Sequence, residues 1–359
     1  MGYTSNELRL KNLRSNIPAW RVDAVIVTSI PNIRYLTGFT GSSSILVITS
    51  SVAYLLTDSR YIQQAHDEVT GFRIKGYKRQ IHGVSSLFMR LKARKIGFEG
   101  KEVTHDYYRK LKNLVSGKRF ISLSDNISAL RLKKDESEIS LIKNAIKIGT
   151  VGFDIEKMCI KDGDVEKDVA FKMEYGVKRC GAERTSFDII VASGKRTALP
   201  HGKASVKRIK KGEMVIVDSG VVYEGYNSDE TCTFFVEKPT RRQKEIYTIV
   251  RDAHDAAIDA VKPGVKTSFI DSIARRVIKG AGYGRYFGHG TGHGIGLCVH
   301  EMPSISSFDD TLLEENMVFT IEPGIYVPDF GGVRIEDMVM VTRDGCDVLT
   351  KVSKEMTVL

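Results

Sequence analysis

At 359 residues, 42% hydrophobic and 27% charged, the chain is long enough for two separate cores and has the balance of a soluble globular protein. No apolar run approaches the ~20 residues of a membrane-spanning helix, so no membrane partner is expected. The net charge of +10 permits nucleic-acid binding, but the basic residues fall in short scattered runs such as Lys207-Arg208-Ile209-Lys210-Lys211, which read as a solvated surface with no nucleic-acid partner.

In chain order, Met1-Gly2-Tyr3-Thr4-Ser5-Asn6-Glu7 lacks the basic-then-apolar order of a signal peptide. Leu8, Leu10, Leu13 and Ile17 recur at roughly helical spacing and predict an opening helix over 5–20, closed by Pro18. Residues 24–27, 44–48 and 52–56 read as short strands, the last two joined by the polar turn Thr49-Ser50-Ser51. A helix with Tyr61, Ile62 and Ala65 is predicted to start at Asp58-Ser59-Arg60; 95–99 is a further strand and 104–115 a further helix. This alternation predicts a small α/β domain over residues 1–127.

The second domain, residues 128–359, opens with an amphipathic helix over 130–149, and another follows at 165–180. Strands at 188–191, 214–217 and 231–236, helices at 240–261 and 267–281, and strands at 317–321, 324–327, 333–342 and 346–349 make it α+β with antiparallel strands. The five cysteines (Cys159, Cys180, Cys232, Cys298 and Cys346) are scattered and form no Cys-x-x-Cys pair, so reduced thiols and a cytoplasmic location are expected.

Chemistry gathers in Gly288-His289-Gly290-Thr291-Gly292-His293-Gly294-Ile295-Gly296. Two imidazoles stand four residues apart among five glycines, and His300 follows seven residues after His293, in a chain with only 8 histidines. Imidazole is a common metal ligand and proton carrier, and glycine lets a ligand approach the backbone closely. No register of the run fits a Gly-x-Gly-x-x-Gly phosphate loop.

Acidic partners stand on apolar strands. Asp218 closes the run Met214-Val215-Ile216-Val217, and Asp229 lies eleven residues on. Between them a hairpin is predicted to turn near Glu224-Gly225, so the two acids can converge. Glu322 is boxed between Ile321 and Pro323. Glu336 shares a strand face with Arg334 and Met338, opposite Ile335, Asp337 and Val339. A charge on an apolar strand costs stability unless it is paired or metal-bound. Taken singly, each acid also reads as a surface group or half of a salt bridge, Asp229 beside Ser228 and Glu230 most of all. Together with His293, the four carry a charge of about −4 and suit two divalent metals. An oxygen-rich set with one nitrogen makes Mn2+ the expected ion, with Co2+, Fe2+ or Zn2+ as alternatives. Two such ions can share a bridging hydroxide as nucleophile.

In Asp218-x10-Asp229, His293, Glu322 within Ile-Glu-Pro-Gly and Glu336 within Val-Arg-Ile-Glu-Asp, the sequence resembles the five-ligand pattern of the pita-bread dinuclear metallopeptidases. That family includes methionine aminopeptidase, aminopeptidase P and prolidase. Asn32-Ile33-Arg34-Tyr35-Leu36-Thr37-Gly38-Phe39-Thr40-Gly41-Ser42 and Leu56-Thr57-Asp58-Ser59-Arg60-Tyr61 are similar to signatures of the creatinase-type N-terminal domain. Methionine aminopeptidases lack that domain, so the resemblance selects the proline-specific branch. It implies a creatinase-type α/β domain followed by an α+β pita-bread catalytic domain, and a homodimer.

By the same resemblance, Asp218 would chelate the first metal, Asp229 and Glu336 would bridge both, and His293 and Glu322 would complete the second. Glu322 would also handle the proton of the bridging hydroxide. His289 and His300 would contact the substrate and the tetrahedral intermediate, and His201 would line the proline pocket. Arg334 and Tyr326 would stand behind the ligands or against the substrate. An X-Pro bond needs a dedicated site because its nitrogen has no N–H and proline fixes the local backbone.

Many prolidases continue His-Glu-x-Pro-Arg after the last histidine, and that arginine can hold a dipeptide's carboxylate. Here the segment is His300-Glu301-Met302-Pro303-Ser304, and Ser304 carries no charge. The expectation is therefore an Xaa-Pro aminopeptidase accepting longer peptides. A strict Xaa-Pro dipeptidase is the alternative, with another residue, from this chain or a partner subunit, replacing the arginine. Cys298 stands where an acid is common. The reading from another class is a non-catalytic pita-bread module that binds protein or nucleic acid, and the complete ligand set argues against it.

Overall fold

The computed structural model describes residues 4–359, and the chain divides into two compact units, Met1–Arg131 and Leu132–Leu359. In the first unit, among the described residues, six strands form one mixed sheet in the order Arg73–Gly76, Ala53–Thr57, Ser44–Thr49, Ala24–Val27, Lys95–Phe98, Arg119–Ser122. The middle strands are continuous apolar runs and are buried at nearly every residue. The two edge strands are polar and half exposed, which hid them from a reading based on hydrophobic pattern.

Helix boundaries follow their caps. The opening helix Ser5–Asn16 starts on a Thr4/Glu7 capping box and ends before the predicted residue 20. The helix predicted from residue 58 begins at Ile62, because Asp58 binds Arg60 instead of starting a helical turn. Ile30–Thr37 was not foreseen: eight residues are too few to show a period, although Pro31 and Gly38 (φ 75°) bracket it. Gln80–Arg90 was hidden by the weak helix formers Gly83, Ser85 and Ser86.

The second unit opens with Glu136–Cys159, started by the Asp135/Glu138 capping box and longer than the predicted 130–149. Gly152 lets it pack tightly on Glu166–Arg179, since a Cβ there would meet Met173. These two helices cover one face of a sheet ordered Thr357–Val358, Glu230–Phe235, Met214–Ser219, Ile190–Ser193. Strand alternation does the sorting. Val215, Val217, Cys232 and Phe234 face the helices with Phe153, Val169 and Met173, while Ile216 faces the opposite side with Ile190 and Tyr326. Each large apolar side chain so buried contributes roughly 1.5–3 kcal/mol.

A second sheet runs Glu301–Ile305, Gly292–Gly294, Val318–Ile321, Asp337–Val341, Cys346–Val348, and packs through Phe319, Ile321 and Val339 on the helices Arg241–Asp259 and Thr267–Gly280. The predicted strand 333–342 is in fact two. Gly331–Arg334 pairs with Gly324–Val327, and Asp337–Val341 pairs with Val318–Ile321. Ile335 and Glu336 fall between them, where Glu336 bridges to Thr231 of the first sheet.

Candidate metal centre

The acids predicted to converge do so at this junction. Met214–Ser219 and Glu230–Phe235 pair antiparallel with Asp218 opposite Thr231. The intervening hairpin turns at Glu224 (φ 44°) and Gly225 (φ 80°), as a two-residue left-handed turn requires. Asp229 is thereby returned beside the Asp218 strand. Glu336 is fixed by Thr231 twice: its N–H donates to the Thr231 carbonyl (3.1 Å), and its Oε2 accepts from Thr231 Oγ1 (2.7 Å). The Glu322 N–H donates to the Thr291 carbonyl (2.7 Å), which ties its strand end to the glycine-rich run.

His293 lies on the short strand Gly292–Gly294, between Glu301–Ile305 and Val318–Ile321. The flanking glycines have a definite cause. A Cβ on Gly292 would collide with the Thr320 carbonyl, and one on Gly294 with that of Met302. The glycines thus serve close strand packing, where the sequence suggested close approach of a ligand.

Donor atoms of Asp229, His293 and Glu336 all lie within 4.8 Å of one another. His293 Nε2 is 3.6 Å from Asp229 Oδ2 and 3.3 Å from Glu322 Oε1. Its Nδ1 lies 3.1 Å from the Gly294 carbonyl. With Nδ1–H donating there, the Nε2 lone pair faces two carboxylates. Burial pushes the His293 pKa down, which leaves that lone pair available to a metal cation shared with the two carboxylates. Asp218 adds a buried Oδ1 with no hydrogen-bond partner. The residues present therefore fit divalent metal.

The charge balance agrees. Burial, reinforced by Glu336, Asp218 and Glu322, raises the Asp229 pKa well above its ordinary value. Burial, then Glu322 and Asp218, does the same to Glu336. Burial also raises Glu322. One guanidinium opposes them. Arg334 Nη2 donates to Asp218 Oδ2 (2.6 Å), Nη1 to Tyr326 Oη and the Pro200 carbonyl (3.0 Å each), and Nε to Thr231 Oγ1 (3.1 Å). Thr231 is thus a linchpin between Glu336 and Arg334, and no sequence signal marks it.

The acids open into a cavity of about 480 Å3, whose wall includes Phe187, Ile190, His201, His289, His300 and Ser304. The His293 and His300 rings meet edge to face at 4.3 Å. His289 spends both nitrogens inside the protein, with Nδ1 2.7 Å from the Gly290 carbonyl and Nε2 2.9 Å from Tyr326 Oη. Burial lowers the pKa of His289 and of His300, so both are neutral near pH 7. Every site residue expected from the sequence lies in this cavity or, like Tyr326, directly behind it.

Residues 140–343 match the model of metallopeptidase family M24, and residues 9–133 match the creatinase/prolidase N-terminal domain. The chain is 40% identical to an Xaa-Pro dipeptidase of Pyrococcus horikoshii, over 93% of this chain and 94% of that one. Among solved structures, an Xaa-Pro dipeptidase from Bacillus anthracis superposes with a TM-score of 0.96 at 39% identity, covering 99% of this chain and all (100%) of that one. An X-Pro aminopeptidase from Thermotoga maritima superposes with a TM-score of 0.90 at 38% identity, covering 98% of this chain and 99% of that one.

Proposed function

The chain belongs to metallopeptidase family M24, with a creatinase-type α/β domain before an α+β pita-bread catalytic domain, and is a metal-dependent Xaa-Pro peptidase; on that premise we propose that Xaa-Pro dipeptides are its preferred substrates. The observation that carries the reading of the site is the convergence of Asp229, His293 and Glu336. Asp218 and Glu322 complete a set that would hold two divalent ions, Mn2+ in this proposal. When bound, such a pair supplies a Lewis acid for the scissile carbonyl and lowers the pKa of water to make a nucleophile.

The chain's own groups do the rest. Glu322, ionised when the metal site is filled, takes the proton of the attacking water and delivers it to the proline nitrogen as the C–N bond breaks. His300, neutral and facing the cavity, donates to the oxyanion that develops on the scissile carbonyl. His201, Phe187 and Ile190 receive the proline ring. Tyr326 holds His289 in place, and Arg334 holds Asp218 and Tyr326 together. A homodimer in the cytoplasm belongs to the same proposal; among the described residues no helix is long and apolar enough to cross a membrane.

The preference for dipeptides draws on the Pyrococcus and Bacillus relatives, which are named as Xaa-Pro dipeptidases. An aminopeptidase acting on longer peptides is the second reading. It is favoured by Ser304 on the cavity wall and by likeness to the Thermotoga enzyme. Metal-stripped protein reloaded with Mn2+, Co2+ or Zn2+ and offered Ala-Pro and Ala-Pro-Ala separates the two. Faster turnover of Ala-Pro is expected, faster Ala-Pro-Ala selects the aminopeptidase, and no turnover of either removes both.

A further inference from the structure

A dipeptide substrate brings a terminal carboxylate into the cavity, and Ser304 offers it no charge. Among the cavity's lining residues two are permanent cations, Arg334 and Lys203. Arg334 is fully engaged: each of its three nitrogens already donates to Asp218, Tyr326, Pro200 or Thr231. Lys203 Nζ pairs with Asp188 at 2.6 Å, and the two side chains are 78% and 76% exposed. An ion pair so exposed is weak, because water screens it, so a substrate carboxylate can replace Asp188 at Lys203. Asp188 meanwhile raises the Lys203 pKa above its ordinary value.

The backbone that presents Lys203 is held firmly. Its carbonyl accepts from Arg196 Nη2 (2.7 Å), and Arg196 Nη1 donates to Glu166 Oε2 (2.7 Å). The carboxylate of Glu166 is wholly buried and also accepts from the backbone N–H and the hydroxyl of both Ser193 and Ser205. One buried acid therefore pins both ends of the segment 193–205. That segment carries His201 and, two residues on, Lys203. Both residues line the cavity, so a proline ring received at His201 carries its carboxylate into the part of the wall that Lys203 shares.

We propose that Lys203 is the cation that receives the substrate's terminal carboxylate, exchanging Asp188 for it and supplying the charge that Ser304 lacks. The inference rests on the dipeptide reading, and the test separates their failures. Kinetics of the Mn2+-loaded full chain are measured with Ala-Pro and with Ala-Pro amide, which lacks the carboxylate. Lys203→Met is expected to raise KM for Ala-Pro at least tenfold more than KM for the amide, with little change in kcat. Lys203→Arg should restore most of that loss, and Asp188→Asn should lower KM for Ala-Pro by removing the competitor. Wild-type KM for Ala-Pro should also rise with ionic strength, and that dependence should flatten in Lys203→Met. An equal effect of Lys203→Met on acid and amide, or no effect on either, overturns the assignment and leaves the dipeptide reading standing. A wild type that prefers the amide to the acid overturns both.

Discussion

Asp229 and Glu336 have as sequence neighbours two further buried acids, Glu230 and Asp337, and the two pairs differ in how their charge is met. Strand alternation sends the first pair into the cavity and the second to the opposite side. There Lys354 Nζ binds Glu230 and lies 3.3 Å from Asp337, whose Oδ1 also accepts from Thr350. His254 Nε2 lies 3.2 Å from Asp337 Oδ2, close enough for charge although out of line for a hydrogen bond. Burial opposes the ionisation of both acids: at Asp337, Lys354 and His254 outweigh it and the pKa is lowered, while at Glu230 burial outweighs Lys354 and the pKa is pushed up to about 7. In the cavity four carboxylates share one guanidinium, and Asp229 and Glu336 are both raised well above their ordinary values. The neighbouring cluster carries cationic partners of its own in Lys354 and His254. The cavity cluster has one guanidinium for four acids and room for a cation from outside, and that is how the functional pair can be told from its neighbour.

The strongest way to break this contrast is Asp229→Asn. It should cost Xaa-Pro hydrolysis on the order of 10^3-fold or more, while circular dichroism and the unfolding midpoint of the metal-free protein stay the same or improve, since one repelling charge is gone. Near-normal turnover would end the assignment of Asp229 to metal.

Lys354→Met tests the other side. It strands Glu230 without its countercharge, leaves Asp337 with His254 alone, and should lower unfolding free energy by about 3–5 kcal/mol in urea titrations, with turnover per folded molecule little altered. A loss below about 1 kcal/mol would show that Lys354 does not hold this cluster together.

The smallest effect sharpens the comparison through pH. Carboxyls with a raised folded pKa hold protons that the unfolded chain releases above about pH 4. The metal-free protein should therefore lose stability as pH rises from the ordinary carboxylate range of about 4 through the raised folded values. Asp337, lowered in the fold, acts in the opposite sense: its contribution is present above the unfolded value and is lost only as pH falls through the folded one. Mn2+ at 100 times its dissociation constant should add about 2.7 kcal/mol and flatten that decline. Calorimetry across that range, with and without Mn2+, reads both; a metal-free stability that rises with pH would contradict the raised carboxyls.

What could be read from the sequence follows from how local each signal is. Asp218 and Glu322 end apolar strands, and an acid in that setting is visible within five residues of context. Lys354 is not visible as a partner, because it meets Glu230 across 124 positions of chain. Glu166 looks like any acid in the first turn of a helix, and its role as the tie of segment 193–205 exists only in three dimensions. The break at Ile335-Glu336 was hidden because the side-chain alternation runs straight through it while the pairing partner changes.

Gly292 and Gly294 leave one more consequence. The run that looks most like a pliant loop is one of the least negotiable stretches of the sheet, because neighbouring carbonyls occupy the space of both absent side chains. Neither flank of His293 can grow, so no substitution there can nudge its imidazole by a fraction of an ångström. Any evolutionary retuning of metal preference at this imidazole has to be written across the sheet, at positions such as Thr320, whose hydroxyl accepts from the His293 N–H (3.1 Å). A library built to change the metal should be randomised there, and the glycine run left as it stands.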